Sequence, residues 1–137
     1  MEKNENSLAS PALQRAVQKL IAEEYYAYQL YFFSKYAVKS EDRLVLANLF
    51  GQIAADELDD HMKSLVEWCY EYGVDVPATE REFKSAVSKE FFNVVDRIKK
   101  GQDARYYLDV ALKLEEMSMD SYKTVLEMDD VPQFTDL

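Results

Sequence analysis

The sequence predicts an all-α, antiparallel bundle of long helices. Three observations say so. With only three glycines and three prolines, the chain has too few turns for a β fold. Its apolar residues recur in steps of three and four rather than alternating. The periodic stretches open on capping residues and close on stop signals.

Residues 1–9 read as a disordered lead-in and residues 10–128 as one helical domain. Ser10-Pro11 is a helix start, a cap followed by proline in the first helical position. The first helix runs to about Val38, with Leu13, Val17, Leu20, Ile21, Ala27, Tyr28 and Tyr31 in its stripe. Ser40 is placed to cap a second helix, with Glu41 and Asp42 at the positive end of its dipole. That helix runs to Tyr72 and stops at Gly73. The short connection makes the two antiparallel neighbours. Thr79-Glu80-Arg81-Glu82 is a capping box opening a helix over residues 80–100, closed by Lys99, Lys100 and Gly101. Asp103 caps a last helix ending near Met128. Residues 129–137, DDVPQFTDL, are a tail or the start of a further helix.

A net charge of −10 and an isoelectric point near 4.6 disfavour nucleic acid and anionic membranes as partners. No apolar run reaches membrane-spanning length, and the polar start is not a signal peptide. Cys69 is alone, so no intrachain disulfide forms, and a reducing cytoplasm is the simplest compartment.

The second helix carries the chemistry. Its stripe reads Leu46, Phe50, Ile53, Glu57, His61, Leu65, Trp68. Glu57 and the chain's only histidine therefore point with the core residues, while Asp56 and Asp59 fall away. The first helix places Glu24 in the same way between Ile21 and Tyr31. The last helix aligns Leu108, Leu112, Glu115, Met119, Tyr122 and Leu126, with Glu115 in the middle. Unpaired carboxylates facing one core cost several kcal/mol each. No Lys or Arg stands at these levels in the stripes, so protonation or a shared cation is the remaining remedy. Carboxylates plus one imidazole suit iron, manganese or zinc. Asp60 and Asp120 are candidate auxiliary carboxylates, and Glu23 and Glu116 read as surface partners of the ligands. The first and last helices also echo each other. Glu24 is followed by Tyr31, and Glu115 by Tyr122, each seven residues on.

On these residues the chain resembles the ferritin-like superfamily of bacterioferritins, rubrerythrins and Dps-like miniferritins. In that family two helices each give a Glu, two others each give a Glu-x-x-His pair, and together they hold a dinuclear centre. The resemblance implies a four-helix bundle in which Glu24, Glu57, His61 and Glu115 bind iron. Fe(II) would be oxidised by oxygen or peroxide for iron storage or detoxification, and Tyr31 would donate an electron or a hydrogen bond. It also implies a homo-oligomer, for which the aromatics Phe32, Phe33 and Tyr36 are candidates. The chain departs from the pattern twice. Glu57 and His61 are four residues apart, not three, which a π-bulge would absorb. No second His exists, so either the last ligand helix is lacking or residues 80–100 fill the fourth corner, with Glu90 its one acidic contributor. The alternative is a metal-free bundle serving as a structural or assembly module. It would leave the carboxylates protonated or hydrogen-bonded to tyrosine hydroxyls.

Overall fold

The computed structural model describes residues 9–128, apart from the side chains of Glu57 and Leu58. Of the lead-in expected over residues 1–9, Ala9 is described and is buried in the core rather than disordered, while residues 1–8 and the tail expected at 129–137 lie outside the described residues. Among the described residues every regular element is helical.

Helix α1, Pro11–Ala37, starts as its sequence dictates. Ser10 accepts a hydrogen bond from the Leu13 N–H at 3.1 Å, with proline in the first turn. Ser40 does not cap the next helix. Residues Ser40–Asp42 tighten into a 3₁₀ turn without a side-chain cap, and the Asp42 carboxylate accepts from the Ala104 N–H at 2.8 Å. Asp42 thus serves the last helix rather than its own. Helix α2, Arg43–Asp56, passes into a π-helical turn, Glu57–Met62, and then α3, Lys63–Tyr72. Gly73 ends this rod in the left-handed conformation (φ 69°), where a Cβ would be strained.

The single helix expected over residues 80–100 is two helices, α4, Glu80–Ala86, and α5, Lys89–Asp96. Ser88 interrupts it as a second cap, accepting from the Phe91 N–H at 3.2 Å. The capping box is shifted as well. Thr79 accepts from the Glu82 N–H, but the Glu82 carboxylate reaches back to the Ala78 N–H. Helix α6, Ala104–Leu126, is capped by Asp103, which accepts from the Tyr106 N–H at 3.0 Å.

Helix α1 is the central rod. It packs against the α2–π–α3 rod, α6 and the α4–α5 crossover, and so is buried on most of its circumference. Two apolar clusters stack along it. One gathers Tyr31, Phe50, Phe91 and Tyr107, and the other Leu13, Val17, Leu65 and Trp68. Between them runs a polar band of Glu23, Glu24, Ser118 and Ser121, all buried. By contrast, α2 and α6 touch each other little. Three rods therefore occupy three corners of a square, and the corner diagonal to α1 is open among the described residues. The α4–α5 segment does not fill it. It crosses the far side of α1, where Tyr25 and Tyr26 both donate to the Glu80 carboxylate.

Candidate metal centre

Glu24 sits midway along α1 with 3% of its surface exposed. Its Oε1 accepts from the Tyr122 hydroxyl of α6 at 3.2 Å. Its Oε2 is buried without a well-formed hydrogen bond, and the His61 Nδ1 stands 3.4 Å away, where a weak hydrogen bond and the charge of the carboxylate both act on it. That carboxylate holds the His61 pKa above the ordinary imidazole value, against the opposing effect of burial. Glu115 is half-buried and accepts from the Tyr31 hydroxyl at 2.5 Å. Burial, reinforced by these carboxylates, pushes both phenol pKa values up, so both donate at neutral pH.

The two tyrosine contacts form a cross. Each tyrosine lies seven residues beyond the glutamate of its own helix and donates to the glutamate of the other. This reciprocal pairing requires α1 and α6 to be antiparallel, and it explains the echo in the sequence. Seven residues rise about 10 Å, so the two contacts bracket the middle of the helix pair.

Glu24, His61 and Glu115 line one cavity of 410 Å³ with Tyr122, Met119 and Leu126. His61 and Glu115 also wall a neighbouring cavity of 380 Å³ with Tyr31, Phe50 and Ile53. Three of the four expected ligands therefore face one space. The Glu57 side chain lies outside the described residues. Its backbone opens the π turn that ends at Met62. The extra residue is absorbed there, so Leu65, Trp68 and Cys69 return to the core. His61 is not a core residue, because 52% of its side chain is exposed toward the open corner. Among the described residues no group of three or more His, Cys, Asp or Glu side chains is close enough to hold a metal ion.

Asp60 is exposed on the π turn. Asp120 is exposed on the opposite flank, lining a pocket with Lys19, Glu23 and Ser121 rather than the Glu24 cavity. Glu90 is exposed and belongs to that flank as well. Ile53, expected in the core, is 38% exposed, and Ala54 takes its place.

Two expectations are corrected. Glu23 is not a surface residue but is 1% exposed. It accepts from the Ser121 hydroxyl at 2.7 Å, with Lys19 at 3.9 Å, and burial raises its pKa to about 7. The sequence signal was available, because Ser118 and Ser121 follow the helical spacing of α6. The α6 stripe is also displaced. Its buried row is Tyr107, Ala111, Leu114, Ser118, Ser121 and Val125, whereas Leu112, Met119 and Leu126 are 62%, 69% and 55% exposed.

The family model described as Ferritin: Ferritin-like domain matches residues 14–130. Neither the curated proteins nor the solved structures give a significant match. No helix among the described residues is long and apolar enough to cross a membrane. The antiparallel helical rods, the Glu24–Tyr122 and Tyr31–Glu115 cross at their centre and a family match over most of the chain lead to one conclusion: this chain belongs to the ferritin-like family.

Proposed function

We propose that the protein binds Fe(II) as substrate at the Glu24–His61–Glu115 cavity and passes its electron to oxygen or peroxide, for iron storage or detoxification. The observation that carries this reading is the Glu24 carboxylate. It is buried, its Oε2 lacks a well-formed hydrogen bond, and it stands beside an imidazole nitrogen in a cavity that also receives Glu115. A hard divalent cation satisfies such an oxygen, and the donor set of carboxylates and imidazole suits iron, with manganese or zinc as competitors.

In this reading Glu24 and His61 hold one cation, Tyr122 orients Glu24, and Glu115 swings from Tyr31 to meet the metal. Glu57, the residue that opens the π turn, supplies the bridging carboxylate. The negative side chains offset the charge gained as iron goes from two to three plus. Tyr31, released from Glu115, is placed to donate an electron or a proton. Asp60 is an auxiliary carboxylate at the exposed side, whereas Asp120, on the far flank, is not part of the site. The family often assembles into oligomers, and exposed Phe33 and Tyr36 on α1 offer a surface for that. A cytoplasmic setting fits the lone, buried Cys69.

The test is iron content after anaerobic Fe(II) loading and desalting, followed by oxygen-dependent oxidation. About two irons per chain, lost in Glu24→Gln and His61→Ala, is the expected result. Absence of retained iron in the wild type would overturn the reading.

A second reading, a metal-free structural bundle, has one observation in its favour. Tyr31 and Tyr122 already hydrogen-bond the two carboxylates. It predicts that Tyr31→Phe and Tyr122→Phe destabilise the fold whether or not iron is added.

A further inference from the structure

We infer that the groove between α5 and α6 binds a small organic monocarboxylate with an apolar chain. The first ground is shape. The groove is a cavity of 540 Å³ on the flank of α6 turned away from Glu24 and His61. Residues 97–103 join the two helices, and the Lys99 backbone is tied to the hydroxyls of Tyr106 and Tyr107. A connection this short makes α5 and α6 antiparallel neighbours. Each lends the groove one helical face. Glu90, Asn93, Val94 and Arg97 come from the α5 side, and Tyr106, Asp109, Val110 and Lys113 from α6, both in steps of three, one and three. Arg97 therefore stands at the Tyr106 end and Glu90 at the Lys113 end. Two turns of helix make the groove about 10 Å long. Val94 and Val110 form its floor, both packed against the core cluster.

The second ground is the set of polar groups left uncommitted. The half-buried Asn93 amide has no hydrogen bond among the described residues. The Tyr106 hydroxyl accepts from the Lys99 N–H at 2.9 Å, which leaves its own proton to give. Arg97 and Lys113 are exposed and make no ion pair among the described residues. Asp109 is already engaged by Arg105 at 3.0 Å, so Glu90 is the one carboxylate left to oppose them. The groove is thus locally positive on a chain of net charge −10. An apolar floor with a few convergent polar groups is the usual form of a small-molecule site.

The chemistry of these groups selects the ligand. A planar carboxylate matches the guanidinium fork of Arg97, with the Tyr106 and Asn93 protons beside it. Glu90 and Asp109 on the walls favour a single negative charge, because a phosphate monoester would bring nearly two against them. Beyond the head group the valine floor takes an apolar chain. None of these residues touches Glu24, His61 or Glu115, so the site stands apart from the iron reading.

The experiment is a titration of the metal-free protein with octanoate, whose extended chain spans the groove, followed through the methyl resonances of Val94 and Val110 by NMR. Saturable shifts of both are expected, with Met119 and Leu126 of the Glu24 cavity unmoved. Arg97→Gln, a change on the exposed rim that leaves the fold intact, should weaken binding about tenfold. Octylammonium should bind about tenfold more weakly than octanoate, and Glu90→Gln should strengthen octanoate binding. Shifts that never saturate, shifts confined to Met119 and Leu126, equal binding of octylammonium, or an affinity indifferent to Arg97→Gln would overturn the proposal.

Discussion

Glu23→Gln should make the metal-free protein more stable at alkaline pH and leave it unchanged in acid. The Glu23 side chain is 1% exposed, and burial raises its pKa from 4.5 to about 7 despite the Ser121 hydrogen bond and Lys19. The folded chain therefore binds this proton more tightly than the unfolded chain does. Linkage makes its contribution fully favourable below pH 4.5 and progressively lost as pH rises through 7. A shift of that size corresponds to about 3 kcal/mol. Glutamine keeps the shape and an acceptor for the Ser121 hydroxyl without the charge. Urea unfolding of both proteins from pH 4 to 8.5 isolates the effect, because the other titrations cancel in the difference. The two should agree at the acid end, and the variant should lead by about 3 kcal/mol at the alkaline end. Parallel stability profiles would refute the argument that burial controls this carboxyl.

Tyr31→Phe removes the donor to the half-buried Glu115 beside a cavity and should cost about 1 kcal/mol in urea unfolding; an unchanged midpoint would mean that water replaces the phenol freely. The His61 imidazole should titrate above 6.5 by NMR in the metal-free protein and move down toward that value in Glu24→Gln; identical curves would break the Glu24–His61 pairing. Gly73→Ala places a Cβ at φ 69° and should cost about 1 kcal/mol, read as a lower melting temperature. Deleting the exposed Asp59 shortens Glu57 to His61 to the three-residue spacing and turns the π turn into regular α-helix, with Leu65 and Trp68 still in the core. Cooperative unfolding with at least the parent's stability is expected, and loss of the transition would show that the π turn is required for folding.

Local chemistry determined much of this protein. Ser10-Pro11, Asp103 and Gly73 fixed helix ends from sequence alone, because a cap or a left-handed stop acts within a few residues. The inward placement of Glu24 and Glu115 was legible for a related reason. A charged residue in an apolar stripe is conspicuous whatever the stripe packs against. The one-residue excess between Glu57 and His61 marked where a π turn would fit, although regular helical spacing also keeps the two on one face, and the structure decided for the π turn.

What the tertiary structure decided is which stripe each helix buries. Helix α6 has two adjacent apolar rows, and periodicity cannot rank them. α1 covers the row through Tyr107 and Leu114, leaving the row through Leu112 and Met119 to the open corner. Glu23 is buried for the same reason, because α6 and the crossover close over a face of α1 that looks polar in isolation. Ser40 shows the limit from the other side: a good cap by type went unused once Asp42 was drawn to the first turn of α6. The Tyr31–Glu115 and Tyr122–Glu24 cross needed both sources. The sequence spaced each pair, and only the antiparallel approach of two distant helices could join them.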